Sequence, residues 1–371
     1  MKAVVLAGGE GTRLRPLTCN IPKPLVPILN RPYLEHLLGQ LKRSGVSETV
    51  LALSYLPEKI QNYFGKGDAF GTLVEYAIEE EPLGTAGAVK NVEGSLLDTF
   101  MVFNGDIFTD LDLKAAIEFH KARGAKATLV LTPVEDPSPF GLVETAPDGR
   151  VLRFLEKPSL EEVSTVWVNA GTYILEPEVL QYIPQGEAHS FERGLFPRLL
   201  EEGWPVYGLR SRAYWMDIGN PTNYLRVHRD LLLGSAQADP ASPMLSPGLW
   251  AGDSCTIDPS AHIRGPILLG PGCSIGPRTS LSGPLVLGPD CAIEGNSTLE
   301  NAVLWSGVQV KQGASLTGCI LGNNVQVHNG ASIGNRCVLA DDVVVGEGNH
   351  LDHGMSVWPG TVMGPNSVSF L

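Results

Sequence analysis

The sequence predicts two domains of different construction: an α/β domain with a mostly parallel sheet, then a domain of short strands that repeat every six residues. Three observations support this prediction. Short β-branched runs alternate with helical patterns up to about residue 233. A stretch rich in Pro, Ser and Ala interrupts that alternation, and aliphatic residues then recur at every sixth position. We therefore expect domains at residues 1–233 and 251–371, joined by a linker at 234–250.

The composition limits the class of protein. Of the 371 residues, 43% are hydrophobic and 18% are charged, and no apolar run approaches the roughly 20 residues that a bilayer span needs. The apolar run at the start is too short for a secretory signal, so we expect a cytoplasmic protein with no membrane partner. The formal net charge of −13 disfavours nucleic acid, because such a surface repels phosphate polymers. Any phosphate chemistry therefore needs local cations, glycine-rich backbone or a metal.

In the first domain, strand-like runs such as AVVLA, TVLAL and ATLVL alternate with helical patterns such as YLEHLLGQLKR and LKAAIEFHKAR. This alternation is typical of βα units, whose strands run parallel. It predicts an α/β domain with a mostly parallel sheet.

The second domain is a series of hexads. Aliphatic residues fall six apart over 257–299 and again over 321–357. This pattern resembles the left-handed parallel β-helix, in which three hexads, or 18 residues, form one coil. The two runs are 22 residues apart and out of phase. We therefore predict a loop that leaves the coil between Trp305 and Ile320.

The cysteines support a coil of 18 residues. Cys255, Cys273 and Cys291 are 18 apart, and so are Cys319 and Cys337. We expect them at one repeated inward position, as small buried side chains. Zinc binding is disfavoured because the sequence contains no CxxC pair.

A glycine-rich block follows the first strand. It reads GGEGTRLRPLT and leads into IPKPLVPI. Gly8, Gly9 and Gly11 allow the backbone to approach phosphates closely, and Arg13 and Lys23 add positive charge. The block is neither a Walker loop nor a dinucleotide fingerprint, since it lacks GxxxxGK and the third glycine. It predicts a crevice that binds a triphosphate.

This opening, GGEGTRLRPLT followed by PKP, resembles that of the sugar-1-phosphate nucleotidylyltransferases. Similar blocks follow in the expected order: EPLGTAGA, FNGDIFTD, FGLVE, FLEKP, VNAGTYIL and WMDIGNPTNYL. The resemblance covers residues 1 to about 230 and implies a doubly wound, Rossmann-like α/β fold. It also implies the reaction, in which a nucleoside triphosphate (NTP) and a sugar 1-phosphate give an NDP-sugar and pyrophosphate. One departure is Gly194, where related sequences often carry an acid.

The resemblance implies roles for individual residues. Arg13 and Lys23 would hold the nucleotide phosphates and, with Asp106, form the catalytic set. Asp106 and Asp217 would bind Mg²⁺, which accepts carboxylate oxygens and bridges phosphates. The residues expected to bind the nucleotide are Leu6, Ala7, Gly8, Gly9, Gly11, Thr12, Glu79, Gly84 and Thr85. The residues expected to bind the sugar phosphate are Gly141, Glu156, Lys157, Asn169 and Gly171.

Several candidates also have a purely structural interpretation. Asp106 follows an apolar strand, at the sheet edge where ligands of open α/β folds bind, yet such a residue can instead cap the next helix. Glu156 and Lys157 would face opposite ways on a regular strand, where a solvated ion pair is the simpler interpretation. The proline after them favours a break in the strand, which would free both side chains for binding.

The nucleotide base should be recognised near residues 79–87. A carboxylate at Glu79 can accept from N1–H and N2–H₂ of guanine, whereas it repels the carbonyl oxygens of uracil and thymine. This favours GTP, although Glu79 could simply be solvated. The EPLGTAG block and the appended hexads are similar to the branch of the family that uses mannose 1-phosphate. Uridylyl or thymidylyl transfer to glucose 1-phosphate is the alternative.

The second domain admits other functions. Some left-handed β-helices are acyltransferases that use a histidine, and histidines are available, but no basic cluster suggests a coenzyme A pocket. A non-catalytic regulatory subunit is a further alternative, against which the joint presence of the predicted catalytic and metal-binding residues argues. We expect the β-helix to assemble a homo-oligomer.

Overall fold

The computed structural model describes residues 1–238 and 240–369. Residue 239 of the predicted linker and residues 370–371 of the predicted second domain lie outside the described residues. Contacts divide the chain into two compact units. The first unit comprises residues 1–9 and 34–215, and the second comprises residues 10–33 and the chain from Met216 onward. Within the described ranges, no helix combines the length and apolarity needed to cross a bilayer.

The strands before the repeats have the following bounds: β1 (Lys2–Leu6), β2 (Pro27–Ile28), β3 (Arg31–Pro32), β4 (Glu48–Leu53), β5 (Leu73–Ile78), β6 (Phe100–Asn104), β7 (Ile107–Thr109), β8 (Ala127–Pro133), β9 (Gly141–Thr145), β10 (Val151–Glu156), β11 (Trp167–Leu175), β12 (Val206–Arg210) and β13 (Trp215–Asp217). The main sheet of the first unit has the order β10-β9-β11-β6-β1-β4-β5, and β8 pairs with β11 and β12.

The centre of this sheet is parallel. β1 pairs with β4 and β6, and β4 pairs with β5, all in parallel. Ala3, Val4 and Val5 of β1 are completely buried, as expected for a parallel strand covered on both faces. β11 runs antiparallel to β6, β8 and β9, so the sheet is mixed beyond β6. The predicted α/β fold is confirmed.

The α-helices are α1 (Tyr33–Arg43), α2 (Pro57–Phe64), α3 (Gly84–Lys90), α4 (Leu113–Arg123), α5 (Phe196–Glu201) and α6 (Pro221–Leu232). Capping residues set the ends of α4, because Asp112 accepts a hydrogen bond from the backbone N–H of Ala115 and Gly124 ends the helix at φ 56°. At the start of α6, the Asn220 side chain accepts from the backbone N–H of Asn223.

The repeats of the second unit form three stacks of short strands, parallel from Leu249–Ala251 onward, consistent with the predicted left-handed β-helix. The first stack contains Met244–Ser246, Leu249–Ala251, Ile267–Leu269, Leu285–Leu287, Val303–Leu304, Ile320–Leu321, Val338–Leu339 and Ser356–Val357. The second contains Thr256–Ile257, Ser274–Ile275, Ala292–Ile293, Gln309–Val310, Gln326–Val327, Val344–Val345 and Val362–Met363. The third contains His262–Arg264, Ser280–Ser282, Thr298–Glu300, Ser315–Thr317, Ser332–Ile333 and His350–Leu351.

The predicted inward position of the five repeated cysteines is confirmed. Cys273, Cys291, Cys319 and Cys337 are completely buried in the β-helix core, and Cys255 packs against that core while partly buried. The thiols of Cys255, Cys273 and Cys291 donate to backbone carbonyls of neighbouring coils, as Cys273 Sγ does to Gly288 O at 3.2 Å. These cysteines are therefore structural core residues.

The predicted loop between Trp305 and Ile320 is wrong. The coils continue through this region with strands at Gln309–Val310 and Ser315–Thr317. Val286 pairs with Val303 and Val303 with Ile320, so two successive coils contain 17 residues each. Each of these two coils has one residue fewer than the 18-residue coils that flank the pair, and the residue is missing at the corner between the third and the first stack. Two single-residue deletions, and no inserted loop, therefore shift the phase of the hexads.

Two strands lie in the stretch that was predicted to be a linker. Met244–Ser246 pairs antiparallel with Leu249–Ala251, which in turn pairs parallel with Ile267–Leu269. Leu249 and Ala251 are buried in the β-helix core. The stack of strands thus begins before the first hexad, where no aliphatic repeat marks it.

Candidate active site

The first four predicted nucleotide-binding residues lie at the carboxyl end of β1. Leu6 ends that strand, and the N–H of Ala7 donates to Ala52 O of β4 across 2.9 Å. The carbonyl of Gly8 accepts from Ser54 Oγ at 2.6 Å, and a Cβ on Gly8 would lie 3.0 Å from that oxygen. Among the residues that the structure describes, apart from its two chain neighbours, no atom lies within 4 Å of the position that a Cβ on Gly9 would take. This turn therefore exposes backbone at the edge where ligands of open α/β sheets bind.

Gly11 and Thr12 begin the part of the glycine-rich block that belongs to the second unit. Gly11 has φ 65° and precedes a 3₁₀ turn over Thr12–Leu14. Its carbonyl accepts from Thr18 Oγ1 at 2.8 Å, and a Cβ there would lie 3.1 Å from Thr18 and 3.3 Å from Lys23. The left-handed conformation and the tight packing both require glycine.

The second unit brings Arg13, Lys23 and Asp217 together. Arg13 Nη1 lies 3.3 Å from Asp217 Oδ2, and Lys23 Nζ lies 3.8 Å from Asp217 Oδ1. Asp217 also accepts from the N–H of Gly219 at 2.7 Å. The Lys23 side chain is 8% exposed, whereas that of Arg13 is 63% exposed. One carboxylate therefore orients two cations, of which Arg13 is open to solvent.

Gly219 is a residue that the sequence analysis missed. A Cβ at this position would lie 2.6 Å from Asp217 Oδ1, 2.7 Å from Arg13 Nη2 and 3.0 Å from Lys23 Nζ. The three charged side chains fill the space that any other residue would need. The glycine two positions after the acid in MDIG was the available signal.

Asp106 lies in the turn between β6 and β7, at the carboxyl end of a strand of the parallel sheet. The alternative that it caps the next helix is excluded, because Asp112 is the N-cap of α4. The neighbouring Gly105 donates from its N–H to Leu6 O at 2.9 Å and has no room for a Cβ, which would lie 2.5 Å from the same oxygen.

The chemistry of each predicted metal ligand suits a hard divalent cation. Among the described residues, no group of three or more His, Cys, Asp or Glu side chains is placed to hold a metal ion. The two predicted ligands, Asp106 in the first unit and Asp217 in the second, are both carboxylates. Carboxylate oxygens suit an ion that keeps several water or phosphate ligands, as Mg²⁺ does, and do not suit a closed zinc site.

Glu79 follows β5 and is partly buried and hydrogen-bonded, not simply solvated. Its Oε2 accepts from the backbone N–H of Leu83 at 3.0 Å, and its own N–H donates to Leu53 O at 2.8 Å. Burial raises the pKa of the Glu79 carboxyl, and the bond from Leu83 acts in the opposite direction. The carboxylate is thereby fixed at the start of the loop that leads into α3.

Gly84 and Thr85 begin α3 and contact the segment around His189. Gly84 has φ 69°, and a Cβ on it would lie 2.7 Å from His189 O. Thr85 Oγ1 donates to Glu192 Oε2 at 3.0 Å and accepts from the N–H of Phe191 at 2.9 Å. The predicted nucleotide loop is therefore held by residues near position 190.

The predicted strand break at Lys157 is confirmed. Glu156 ends β10, and Lys157 has φ 52° with its N–H donating to Phe140 O. The space beside Gly141 is taken by two side chains, since a Cβ there would lie 2.7 Å from Phe154 Cζ and 2.9 Å from Glu156 Oε2. Gly141 thus makes room for the Glu156 carboxylate.

Burial raises the pKa of the Glu156 carboxyl. Repulsion from Glu192 raises this pKa further, while Lys157 and Arg193 lower it. The two carboxylates therefore share one environment.

Asn169 and Gly171 lie on β11. Asn169 Oδ1 accepts from the N–H of Gly171 at 3.0 Å, and its Nδ2 donates to the Tyr173 hydroxyl at 2.7 Å. Gly171 has φ 71°, and a Cβ on it would lie 2.6 Å from Asn104 Nδ2. The close approach of Asn104 and the positive φ both require glycine here.

Glu192 is the second residue that the sequence analysis missed. Its Oε1 accepts from Tyr173, and its Oε2 accepts from Thr85 and from Ser190 Oγ at 2.6 Å. It joins a predicted nucleotide-binding residue to the network around Asn169. The acid in SFERG, two residues before Gly194, was the available signal. A Cβ on Gly194 would lie 2.3 Å from His189 Nε2, so a side chain there would displace that ring.

Comparisons with known proteins identify the family of each region of the chain. The family model described as nucleotidyl transferase matches residues 2–233, and the model described as the LbH domain of EIF2B subunit epsilon matches residues 247–351. Mannose-1-phosphate guanylyltransferase of Mycobacterium tuberculosis is 43% identical over 272 residues, 72% of this chain and 73% of that protein. UTP–glucose-1-phosphate uridylyltransferase of Synechocystis is 36% identical over 73% of this chain and 74% of its own.

Mannose-1-phosphate guanylyltransferase 1 of Arabidopsis thaliana is 36% identical over 94% of this chain and 93% of its own. That similarity extends through both the nucleotidyl transferase region and the repeats. Enzymes of the nucleotidyl transferase family generally use divalent metal ions. The chain therefore belongs to the nucleotidyl transferase family and is a nucleotidyltransferase enzyme with a C-terminal β-helix.

Proposed function

We propose that the enzyme transfers a guanylyl group from GTP to mannose 1-phosphate, giving GDP-mannose and pyrophosphate. The observation that carries this proposal is the similarity to Arabidopsis mannose-1-phosphate guanylyltransferase 1, because it covers 94% of this chain. The Mycobacterium tuberculosis relative carries the same name and supports the same substrates.

Glu79 supports guanine as the base. Leu83 N–H occupies one lone pair of its Oε2, and two carboxylate oxygens have about four acceptor positions in all. The remaining positions can accept from N1–H and N2–H₂ of guanine, which uracil and thymine do not offer. The other residues proposed to bind the nucleotide are, in the first unit, Leu6, Ala7, Gly8, Gly9, Gly84 and Thr85. In the second unit they are Gly11 and Thr12.

The proposed reaction needs no covalent intermediate. An oxygen of the sugar phosphate attacks the α-phosphorus of GTP as the bond to the bridging oxygen breaks, and the electron pair leaves with pyrophosphate. Arg13 contacts the β and γ phosphates, and Lys23 steadies the charge at the reacting phosphate. The Arg13 guanidinium is suited to this task because it is exposed and already oriented by Asp217.

We propose Mg²⁺ as the divalent ion, with Asp106 and Asp217 as its protein ligands. When bound, it neutralises part of the phosphate charge. Asp217 then has two tasks in the proposal, since the same carboxylate also orients Arg13 and Lys23.

The proposed sugar-phosphate site is built in the first unit from Gly141, Glu156, Lys157, Asn169 and Gly171. Glu156 accepts hydrogen bonds from sugar hydroxyls as an ionised carboxylate. Lys157 binds the sugar phosphate, for which its exposed side chain is available. Asn169 binds the sugar ring, and the bond from its Nδ2 to Tyr173 holds it in place.

The wider context belongs to the same proposal. We propose a cytoplasmic homo-oligomer with catalytic residues 1–233, a connecting stretch that ends before Met244 and a β-helix that assembles the subunits.

Uridylyl transfer to glucose 1-phosphate is the second candidate. The relative from Synechocystis, which carries that name, supports it. Because both candidates belong to one reaction class, only the substrates distinguish them.

The deciding experiment measures pyrophosphate release by the full chain with Mg²⁺ and no acyl donor. GTP, UTP, dTTP, ATP and CTP are each combined with mannose, glucose and N-acetylglucosamine 1-phosphate. Highest turnover of GTP with mannose 1-phosphate supports the proposal. Preference for UTP or dTTP with glucose 1-phosphate would replace it by the second candidate, and no turnover in any combination would favour a regulatory subunit.

A further inference from the structure

Residues 10–33, here called the anchored segment, carry Arg13 and Lys23 and belong to the second unit together with the β-helix. Before Tyr33, where α1 begins, the regular structure of this segment is limited to three-residue 3₁₀ turns and a hairpin of two-residue strands. Such short elements hold few backbone hydrogen bonds. The conformation of the segment therefore depends on contacts with its surroundings.

The first contact joins the segment to a corner of the β-helix. Asn20 Nδ2 donates to Asp341 Oδ2 at 3.3 Å. The other oxygen of Asp341 accepts from the N–H of Asn323 at 2.8 Å and from Asn323 Nδ2 at 3.1 Å. Asp341 is 8% exposed, so these bonds are shielded from water. Each oxygen of this carboxylate thus has its own partner.

The second contact passes through a buried tyrosine. Tyr224 of α6 is completely buried, and its hydroxyl donates a short hydrogen bond to the carbonyl of Pro27. The same oxygen accepts from Trp305 Nε1 of the β-helix at 3.0 Å. Trp305 is 2% exposed. The tryptophan therefore fixes the hydroxyl that holds the hairpin of the anchored segment.

The third contact is direct. Asn30 Nδ2 donates to the backbone carbonyl of Leu287, in the first stack of the β-helix, at 2.8 Å. Lys23 lies in the chain between the first contact, at Asn20, and the second, at Pro27. Both sides of the lysine are thus tied to the second unit.

We propose that Asp341 and Trp305 of the β-helix are positioning residues for the nucleotide phosphates. They hold the anchored segment, and so Arg13 and Lys23, in the conformation that receives the triphosphate. Without them the segment becomes ordered only when the nucleotide binds, and the loss of conformational entropy weakens nucleotide binding. This inference rests on the proposed function, since it uses the phosphate-binding roles of Arg13 and Lys23.

The test variant is Asp341→Asn. One oxygen stays available for Asn323, while an amide group replaces the oxygen that accepts from Asn20. Loss of one such bond predicts a KM for the NTP raised about threefold or more, with the KM for the sugar 1-phosphate unchanged. Hydrogen–deuterium exchange of residues 10–33 should become faster. A general loss of stability would not raise the KM for the NTP while leaving the KM for the sugar 1-phosphate unchanged.

Two further variants sharpen the test. The double variant Asn20→Asp with Asp341→Asn reverses donor and acceptor, and it should restore both the KM for the NTP and the slow exchange. Asp342→Asn is the matched control, because this neighbouring carboxylate is exposed and accepts from Asn324 on the β-helix itself. We expect the control to leave both KM values and the exchange of residues 10–33 unchanged.

Trp305→Phe removes the Nε1 donor and keeps an aromatic ring. If Asp341→Asn does not fold, this variant tests the same point, and we expect it to raise the KM for the NTP alone. Unchanged KM for the NTP and unchanged exchange in these variants would overturn the inference. An equal rise in both KM values would do so as well. If the wild type turns over no substrate pair, the proposed function fails, and the exchange rates with calorimetric binding of pyrophosphate then decide the positioning role.

Discussion

The Tyr173 hydroxyl donates a hydrogen bond to Glu192 Oε1 across 3.1 Å. The same hydroxyl accepts from Asn169, and the other oxygen of Glu192 accepts from Thr85. Burial, with the nearby Glu192 charge, keeps the pKa of Tyr173 well above its usual value, so the phenol stays protonated and can donate. A continuous chain of hydrogen bonds thus links Thr85, in the proposed nucleotide loop, to Asn169, which is proposed to bind the sugar.

We predict that Glu192→Gln moves the acidic limb of the pH profile. The folded pKa of Glu156 lies above its usual value, so the Glu156 carboxylate, proposed to bind the sugar hydroxyls, loses its charge as the pH falls through that pKa. Removing the Glu192 charge removes one cause of the raised pKa. The acidic limb of kcat/KM for the sugar 1-phosphate should therefore shift to lower pH.

Tyr173→Phe is the matched control for this prediction. It breaks the bond to Glu192 but keeps the Glu192 charge, so the acidic limb should stay where it is in the wild type. A limb that stays fixed in Glu192→Gln, or that moves equally in both variants, would contradict the electrostatic explanation.

We predict that Glu79→Gln changes the preferred base. A glutamine oxygen can still accept from Leu83 N–H, so the loop should keep its conformation. The amide no longer offers two charged acceptors to guanine, and kcat/KM for GTP should fall about tenfold relative to UTP. Competition assays with the two nucleotides give this ratio directly. Glu80→Gln, at an exposed neighbouring position, should leave the ratio as in the wild type.

We predict that Asp106→Asn lowers turnover by about a hundredfold or more while the melting temperature stays close to that of the wild type. The reason is the loss of a proposed metal ligand from a turn that caps no helix. Titration of activity with Mg²⁺ should show weaker metal binding, so that half-maximal activity needs a higher Mg²⁺ concentration. The exposed Asp98, changed to Asn, is the control. Turnover within about tenfold of the wild type would remove Asp106 from the metal role.

We predict that thiol reagents distinguish the cysteines of the folded protein. Cys273, Cys291, Cys319 and Cys337 are completely buried, and burial contributes to raising the pKa of three of these thiols. They should react only after unfolding. Mass spectrometry of the labelled native protein should find modification confined to Cys19 and Cys255. Rapid native labelling of Cys291 would show that the β-helix core opens.

Regular repetition made much of the fold predictable from the sequence. The alternation of strands and helices predicts the α/β sheet. The spacing of the aliphatic residues and cysteines predicts the β-helix. The phase shift near residue 305 does not by itself predict a loop, because a periodic pattern records a change of phase but not whether residues were added or removed. The grouping of residues 10–33 with the β-helix depends on contacts such as Asn30 to Leu287, which no local pattern contains.

The candidate site was predictable where chemistry demands a residue type at a fixed place in the chain. Arg13, Lys23 and Asp217 were predicted, and the structure brings them together. Glu192 and Gly219 were missed, because their importance comes from what surrounds them in space. The size limit at Gly219 arises from three side chains that converge on it, two of them distant in the sequence.

The two 17-residue coils have a consequence for insertions and deletions. In a β-hairpin, a slip of one residue turns every side chain to the opposite face. Here the missing residue comes from a corner, and Leu299 still pairs with Leu316, and Leu316 with Ile333, with their side chains in the core. Corners therefore absorb a change in length before it reaches the strands. The β-helix can gain or lose single residues over evolutionary time at its corners, whereas the same change within a strand would expose its core.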